Sequence, residues 1–135
     1  MAMPRGESPD ALEQGGRYLP SMSDATSAGP AGAMASDSIS LARWWRAFCA
    51  GEIVSEASLT EMSTFYDNVD VDYGLGLFNP AEVYAHGVGH MGANFGYNSW
   101  AGCLTEDHVI FVVLTNRDLD SFDLATPLVR AALSN

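Results

Sequence analysis

The segment Val109-Ile110-Phe111-Val112-Val113-Leu114-Thr115 constrains this chain more than any other. It is apolar at odd and even positions alike and rich in β-branched residues, so it reads as a strand that needs cover on both faces. A chain of 135 residues, 47% of them hydrophobic, can supply that cover within one domain. Residues 1–30 are different: they are rich in Gly, Ala, Ser, Pro and Met and read as a flexible lead-in, leaving 31–135 as the folded portion.

Helical spacing appears first. Ser36-Asp37-Ser38 offers a cap for a helix in which Ile39, Leu41, Ala42, Trp44, Trp45, Ala47, Phe48 and Cys49 share a broad apolar face. Both tryptophans read as core packing, and Gly51 ends the helix. Ser55 opens a second short helix over 56–63, with Leu59 and Met62 facing inward. Tyr73-Gly74-Leu75-Gly76-Leu77-Phe78 alternates large and small residues and predicts a strand. A further strand is expected from Val83 to Val88, running into Gly89-His90-Met91-Gly92. Another is expected from Phe95 to Leu104, with Gly96 and Gly102 as weak points or bulges. Thr105-Glu106-Asp107 reads as a hairpin turn, and Phe122 to Leu133 as a final amphipathic helix with Pro127 in its first turn or at a kink. The fold class that follows is mixed α/β, an antiparallel sheet flanked by helices.

Charge and composition exclude several functions. Seventeen acids against six basic residues, all arginine, give a net charge of −11. No basic stripe exists for nucleic acid, and anionic membranes would repel the chain. No apolar run approaches the length of a membrane span, and the start, with Arg5, Glu7 and Asp10, carries no leader pattern. Cys49 and Cys103 read as buried free thiols, because a lone cysteine behaves as a small hydrophobe; a disulfide between them is the alternative. His86 and His90 would lie about 13 Å apart along a strand, too far to share a metal ion. Asp67, Asp70 and Asp72 lack the glycine and terminal glutamate of a calcium loop and read as a solvated acidic loop. No metal site or cofactor is expected.

Several short motifs occur in a recognisable order: Ala31-Gly32-Ala33-Met34-Ala35-Ser36, Leu41-Ala42-Arg43-Trp44-Trp45-Arg46-Ala47-Phe48, Gly51-Glu52-Ile53-Val54-Ser55, His90-Met91-Gly92 and Leu114-Thr115-Asn116. Together, over about 29–133, they resemble the C-terminal portion of the class C β-lactamase, D-alanyl-D-alanine carboxypeptidase and esterase family of serine hydrolases and penicillin-binding proteins. The resemblance implies hydrolysis of a β-lactam, a D-alanyl peptide or an ester. In that family a serine attacks, a lysine and a tyrosine manage its proton, and backbone amides hold the oxyanion. The implied site residues are His90, Gly92 and Ala93, the last as a backbone oxyanion donor, with Met91, Asn94 and Tyr97 against the substrate. His90 is expected at a strand end beside a concave surface, with neighbouring glycines making room for a substrate backbone.

The departures decide the activity expected. The chain has no lysine, so the family's Ser-x-x-Lys nucleophile motif cannot occur in it. Tyr66-Asp67-Asn68 fits the family's Tyr-x-Asn pattern but falls at the wrong place in the order and reads as a coincidence. The expectation is a fragment of a serine hydrolase, inactive alone and binding a small acyl substrate only when a nucleophile-bearing segment completes it. A non-catalytic binding or assembly module derived from that fold is the alternative. The apolar strand over 109–115 is expected to present an open edge through which copies of the chain could associate.

Overall fold

A computed structural model of the chain describes residues 12–14, 17–19, 26–32, 34–66, 72–81, 84–94, 96–117 and 121–134. Within the lead-in, β1 (Leu12–Gln14) pairs antiparallel with β2 (Arg17–Leu19). The chain enters its first long helix, α1 (Ser38–Cys49), at Asp37. The Asp37 carboxylate accepts from the Ser40 amide and the Ser40 hydroxyl, each at 2.8 Å, which satisfies an amide that the helix leaves unpaired. The amide and then the hydroxyl hold the Asp37 carboxyl below its ordinary range. A second capped helix, α2 (Glu56–Met62), starts at Ser55, whose hydroxyl accepts from the Ser58 amide at 3.1 Å.

Three strands make the main sheet. β3 (Gly87–Asn94), β4 (Tyr97–Leu104) and β5 (Val109–Thr115) are antiparallel and ordered β3-β4-β5. Asn94 pairs with Tyr97 across a two-residue turn in which Gly96 takes φ +73°, a left-handed conformation that glycine adopts without steric cost. The β4–β5 connection spans 105–108, one residue longer than the turn expected from sequence. The last helix, α3 (Ser121–Leu133), carries Pro127 in its interior, beyond its first turn.

The sheet lies between helices, as the doubly apolar β5 demands. On one face Trp45 and Phe48 of α1 meet Val88, Ala101 and Cys103, with Leu77, Leu59 and Met62 packed against them. On the other face Ala125 and Val129 of α3 meet Trp100, Leu104 and Phe111. Leu104 is completely buried. No described helix is long and apolar enough to cross a membrane.

Five further details differ from the sequence reading. Trp45 is core, but Trp44 is 44% exposed and stacks on Phe48 at 5.1 Å, covering the core from outside. Tyr73–Phe78 is a compact turn and not a strand: the Gly74 amide donates to the Leu77 carbonyl at 2.8 Å, and Gly76 has φ +76°. The strand expected from Val83 begins only at Gly87; Val83 itself lies outside the described residues. Gly102 is no bulge but sits in register opposite Gly89. A Cβ at Gly102 would collide with the Val88 carbonyl and lie 2.9 Å from the Phe111 ring, so only glycine fits.

The fifth difference is Cys49 and Cys103, which are joined in a disulfide, with Cα atoms 6.7 Å apart. Free thiols are the expectation from sequence. The fold overturns it by bringing the last residue of α1 over the face of β4 that carries Cys103. The sequence separation is 54, and in the chain-entropy picture closing such a loop stabilises the fold by about 4 kcal/mol.

Replacing both cysteines with alanine should lower unfolding free energy in denaturant titrations by up to about 4 kcal/mol, and the unreduced, unfolded chain should show no titratable thiol. Asp37→Ala should lower the melting temperature at neutral pH. Because the folded carboxyl titrates below its unfolded counterpart, the contribution is present above the unfolded value and lost as pH falls through the folded one. Melts of the variant and the parent should therefore converge in acid.

Candidate functional site

The expected site residues all lie on β3 and the start of β4, and the strand's alternation divides them. Val88, His90 and Gly92 face the α1 side, opposite Cys103, Ala101 and Ser99. Gly89, Met91 and Ala93 face the α3 side, opposite Gly102, Trp100 and Asn98. His90 and Met91 therefore address opposite faces and share no pocket wall by their side chains. His90, Met91, Gly92 and Ala93 are exposed, and Tyr97 is half-buried beside them. Of Asn94 the structure describes the backbone, paired with Tyr97.

The backbone alternates too. In an antiparallel ladder each residue directs its N–H and C=O either to one neighbour strand or to the other. Gly89 sends both groups away from β4: its amide donates to the Phe78 carbonyl at 3.1 Å and its carbonyl accepts the Phe78 amide at 2.7 Å. Met91 and Ala93 share Gly89's parity, so their backbone groups face the same outer edge. Beyond the Phe78 bridge no described backbone group pairs with them. The Ala93 amide thus points out of the ladder, as an oxyanion donor must.

A partner for His90 comes from the turn before the strand. The Tyr73 hydroxyl lies 3.0 Å from His90 Nε2. Phe78 packs on the His90 ring with centroids 5.0 Å apart and on Tyr73 at 4.5 Å. His90 Nδ1 contacts the Met91 carbonyl oxygen. A carbonyl can only accept, so in the tautomer that donates from Nδ1 to Met91, Nε2 accepts from the Tyr73 O–H. Sequence reasoning misses Tyr73 because a strand would send its ring elsewhere. The signal available is the glycine at 76, which allows the reversal that returns Phe78 to Gly89.

Other expectations find different places. His90 sits mid-strand, fourth of the eight residues of β3, and not at a strand end. A hollow of about 310 Å³ lies instead at the start of β3, lined by Leu59, Phe65, His86, Val88, Thr105 and the disulfide. His86 precedes the strand, and its carbonyl accepts from the Thr105 amide at 2.9 Å and hydroxyl at 3.1 Å. The glycines of the His90 segment serve packing as well as access. A Cβ on Gly89 would lie 2.8 Å from the Ala101 carbonyl oxygen and 3.3 Å from the Trp100 ring, and one on Gly92 would strike the Ser99 hydroxyl. Trp100 packs in the sheet against Phe111, with its Nε1 donating to the Tyr84 hydroxyl at 3.1 Å. Among the described residues no cluster of three His, Cys, Asp or Glu could hold a metal ion. Asp67 and Asp70 lie outside the described residues, and Asp72 accepts from the Asn79 amide group at 3.3 Å.

No family model and no curated protein matches the chain. Solved structures do. A D-stereospecific amidohydrolase from Streptomyces sp. aligns with a TM-score of 0.57 and 24% identity over 68% of this chain. A D-amino acid amidase from Ochrobactrum anthropi SV3, solved with D-phenylalanine, aligns with a TM-score of 0.64 and 20% identity over 87% of this chain. The chain spans 28% of the first protein and 41% of the second.

Replacing Tyr73 with phenylalanine removes the group that covers His90 Nε2. Carbethoxylation by diethylpyrocarbonate, mapped by peptide mass spectrometry, should then speed up several-fold at His90. Rates at His86 and His108 should stay unchanged as internal controls. The chain has the β-lactamase-like fold of part of these amide-cleaving proteins.

Proposed function

We propose that this chain is the sheet-bearing portion of a serine hydrolase of the β-lactamase-like fold, carrying one wall of the cleft and lacking the group that attacks. The observation that supports this reading is the outer edge of β3. Past the Phe78 bridge the Ala93 amide points away from the ladder, one residue beyond the small Gly92 and beside a histidine whose ring is fixed at both nitrogens. In a completed site the Ala93 amide would supply one of the hydrogen bonds to the oxyanion. His90, with Tyr73 behind it, would face the proton-transfer groups or the substrate's carboxylate. Met91, Asn94 and Tyr97 would contact the substrate around that edge.

The substrate class is an activated or strained acyl group: a β-lactam, a D-alanyl peptide or an ester. The amide-cleaving neighbours add D-amino acid amides to that set. The missing Ser-x-x-Lys motif carries the expectation of inactivity. Removing a serine nucleophile costs on the order of 10⁶ in turnover in a complete protease site. A non-catalytic binding module keeping this sheet is the second reading. It is favoured by the two-sided core that the described residues form.

The isolated chain should not hydrolyse a chromogenic β-lactam, a p-nitrophenyl ester or D-phenylalaninamide above a buffer control. Intact-mass spectrometry after incubation with a fluorescent penicillin should show no adduct. Stoichiometric acylation of a single serine would overturn the reading.

A further inference from the structure

The turn before β3 fixes the place of Tyr73 with bonds that do not involve its hydroxyl. The Tyr73 carbonyl accepts from the Tyr66 amide at 3.2 Å, and the Gly74 amide donates to the Leu77 carbonyl at 2.8 Å. The Leu75 amide donates to the Met62 carbonyl at 3.0 Å, which ties the turn to the end of α2. A Cβ at Gly74 would collide with that same carbonyl, so the turn sits as close to α2 as a glycine permits. Phe78 then closes the turn twice: its backbone bridges Gly89, and its ring packs on both Tyr73 and His90. The fold of the turn has no need of the Tyr73 hydroxyl, and that hydroxyl goes to His90 Nε2.

The other ring nitrogen lies against the strand. Past the Phe78 bridge, the outer edge of β3 runs amide and carbonyl of Met91, then amide and carbonyl of Ala93. Such an edge suits an anion poorly. The Met91 carbonyl sets the negative end of its dipole beside the position that the Ala93 amide serves. His90 Nδ1 contacts that Met91 oxygen. With the proton on Nδ1, the ring donates to the carbonyl and masks it. With the proton on Nε2, two acceptors, Nδ1 and the Met91 oxygen, would be pressed together. Which nitrogen carries the proton is therefore set by Met91, provided the ring keeps this orientation. The bond from Nε2 to Tyr73 and the Phe78 ring are what keep it.

We propose that Tyr73 is a positioning residue: its hydroxyl holds the His90 ring so that a proton on Nδ1 covers the Met91 carbonyl, leaving the Ala93 amide as the group this edge presents to an oxyanion. The purpose of this arrangement rests on the hydrolase reading; its contacts do not. Neither Tyr73 nor His90 has to transfer a proton in this role. His90 removes an unfavourable dipole from the edge, and Tyr73 keeps it there. The ring of Tyr73 belongs to the packing of the turn, whereas its hydroxyl serves His90. The two can therefore be separated by a substitution that removes one oxygen.

The test reads the ring-nitrogen and carbonyl-carbon signals of the whole, isotope-labelled chain by NMR, at a pH where histidine is uncharged. In the unaltered protein His90 should carry its proton on Nδ1. Tyr73→Phe keeps the ring against Phe78 and removes the hydroxyl. The share of His90 protonated at Nε2 should then rise about fivefold, the effect of losing one net hydrogen bond from the held orientation. The Met91 carbonyl signal should move toward that of an unbonded carbonyl, while His86 and His108 stay as they were. His90→Phe, which keeps a ring and has no donor, should move the Met91 signal the same way. A proton on Nε2 in the unaltered protein would overturn the proposal. So would a Met91 signal that neither variant moves, or His90 ring signals that Tyr73→Phe leaves unchanged. Each of these outcomes leaves the hydrolase reading standing. Acylation of a serine in the isolated chain would end that reading and leave the His90 signals as they are.

Discussion

The close approach of β3 and β4 at Gly89 and Gly102 is the constraint on which the rest of the sheet depends. These residues face each other across the ladder, and the rings of Trp100 and Phe111 lie against the space their missing side chains leave. A methyl group at either position meets a backbone carbonyl, which cannot move out of the way as a flexible side chain can. The aromatic layer beneath α3 therefore exists because two glycines let it. The same pairing fixes the register that carries His90 to the α1 face and the Ala93 amide to the outer edge.

Register also explains why the two edges of one sheet are chemically unlike. The outer edge of β3 is partly closed by the Phe78 bridge, and what remains open lies beside a histidine and a tyrosine. The outer edge of β5 lies under an arginine-bearing stripe of α1. The first places a tyrosine-held histidine next to an outward backbone amide; the second places arginine side chains of α1 above an apolar strand.

The disulfide links these levels. α1 ends at Cys49, and Cys103 lies on β4 among the buried residues of the same face. Tying them holds α1 at the position where one stripe reaches the core and the other overhangs β5. It also lines the hollow at the start of β3, so that hollow is bounded by covalent structure on one side.

The sequence alone determined the elements whose signals are local. Asp37 and Ser55 cap helices because a side-chain oxygen three residues before an amide can reach it with no help from the rest of the chain. β5 was legible because six consecutive apolar residues before Thr115 leave no polar face and admit one placement, between layers. The absence of lysine by itself excludes the Ser-x-x-Lys nucleophile motif, since no folding can supply a residue the chain lacks. What depended on two distant segments meeting was not legible. Tyr73 comes to His90 only through the turn at Gly76, Cys49 meets Cys103 only once α1 lies on β4, and Trp44 is left outside because its neighbour Trp45 takes the core. Periodicity says that a residue is apolar or that a strand alternates; the register and the crossing of helix over sheet decide which of its neighbours it finds.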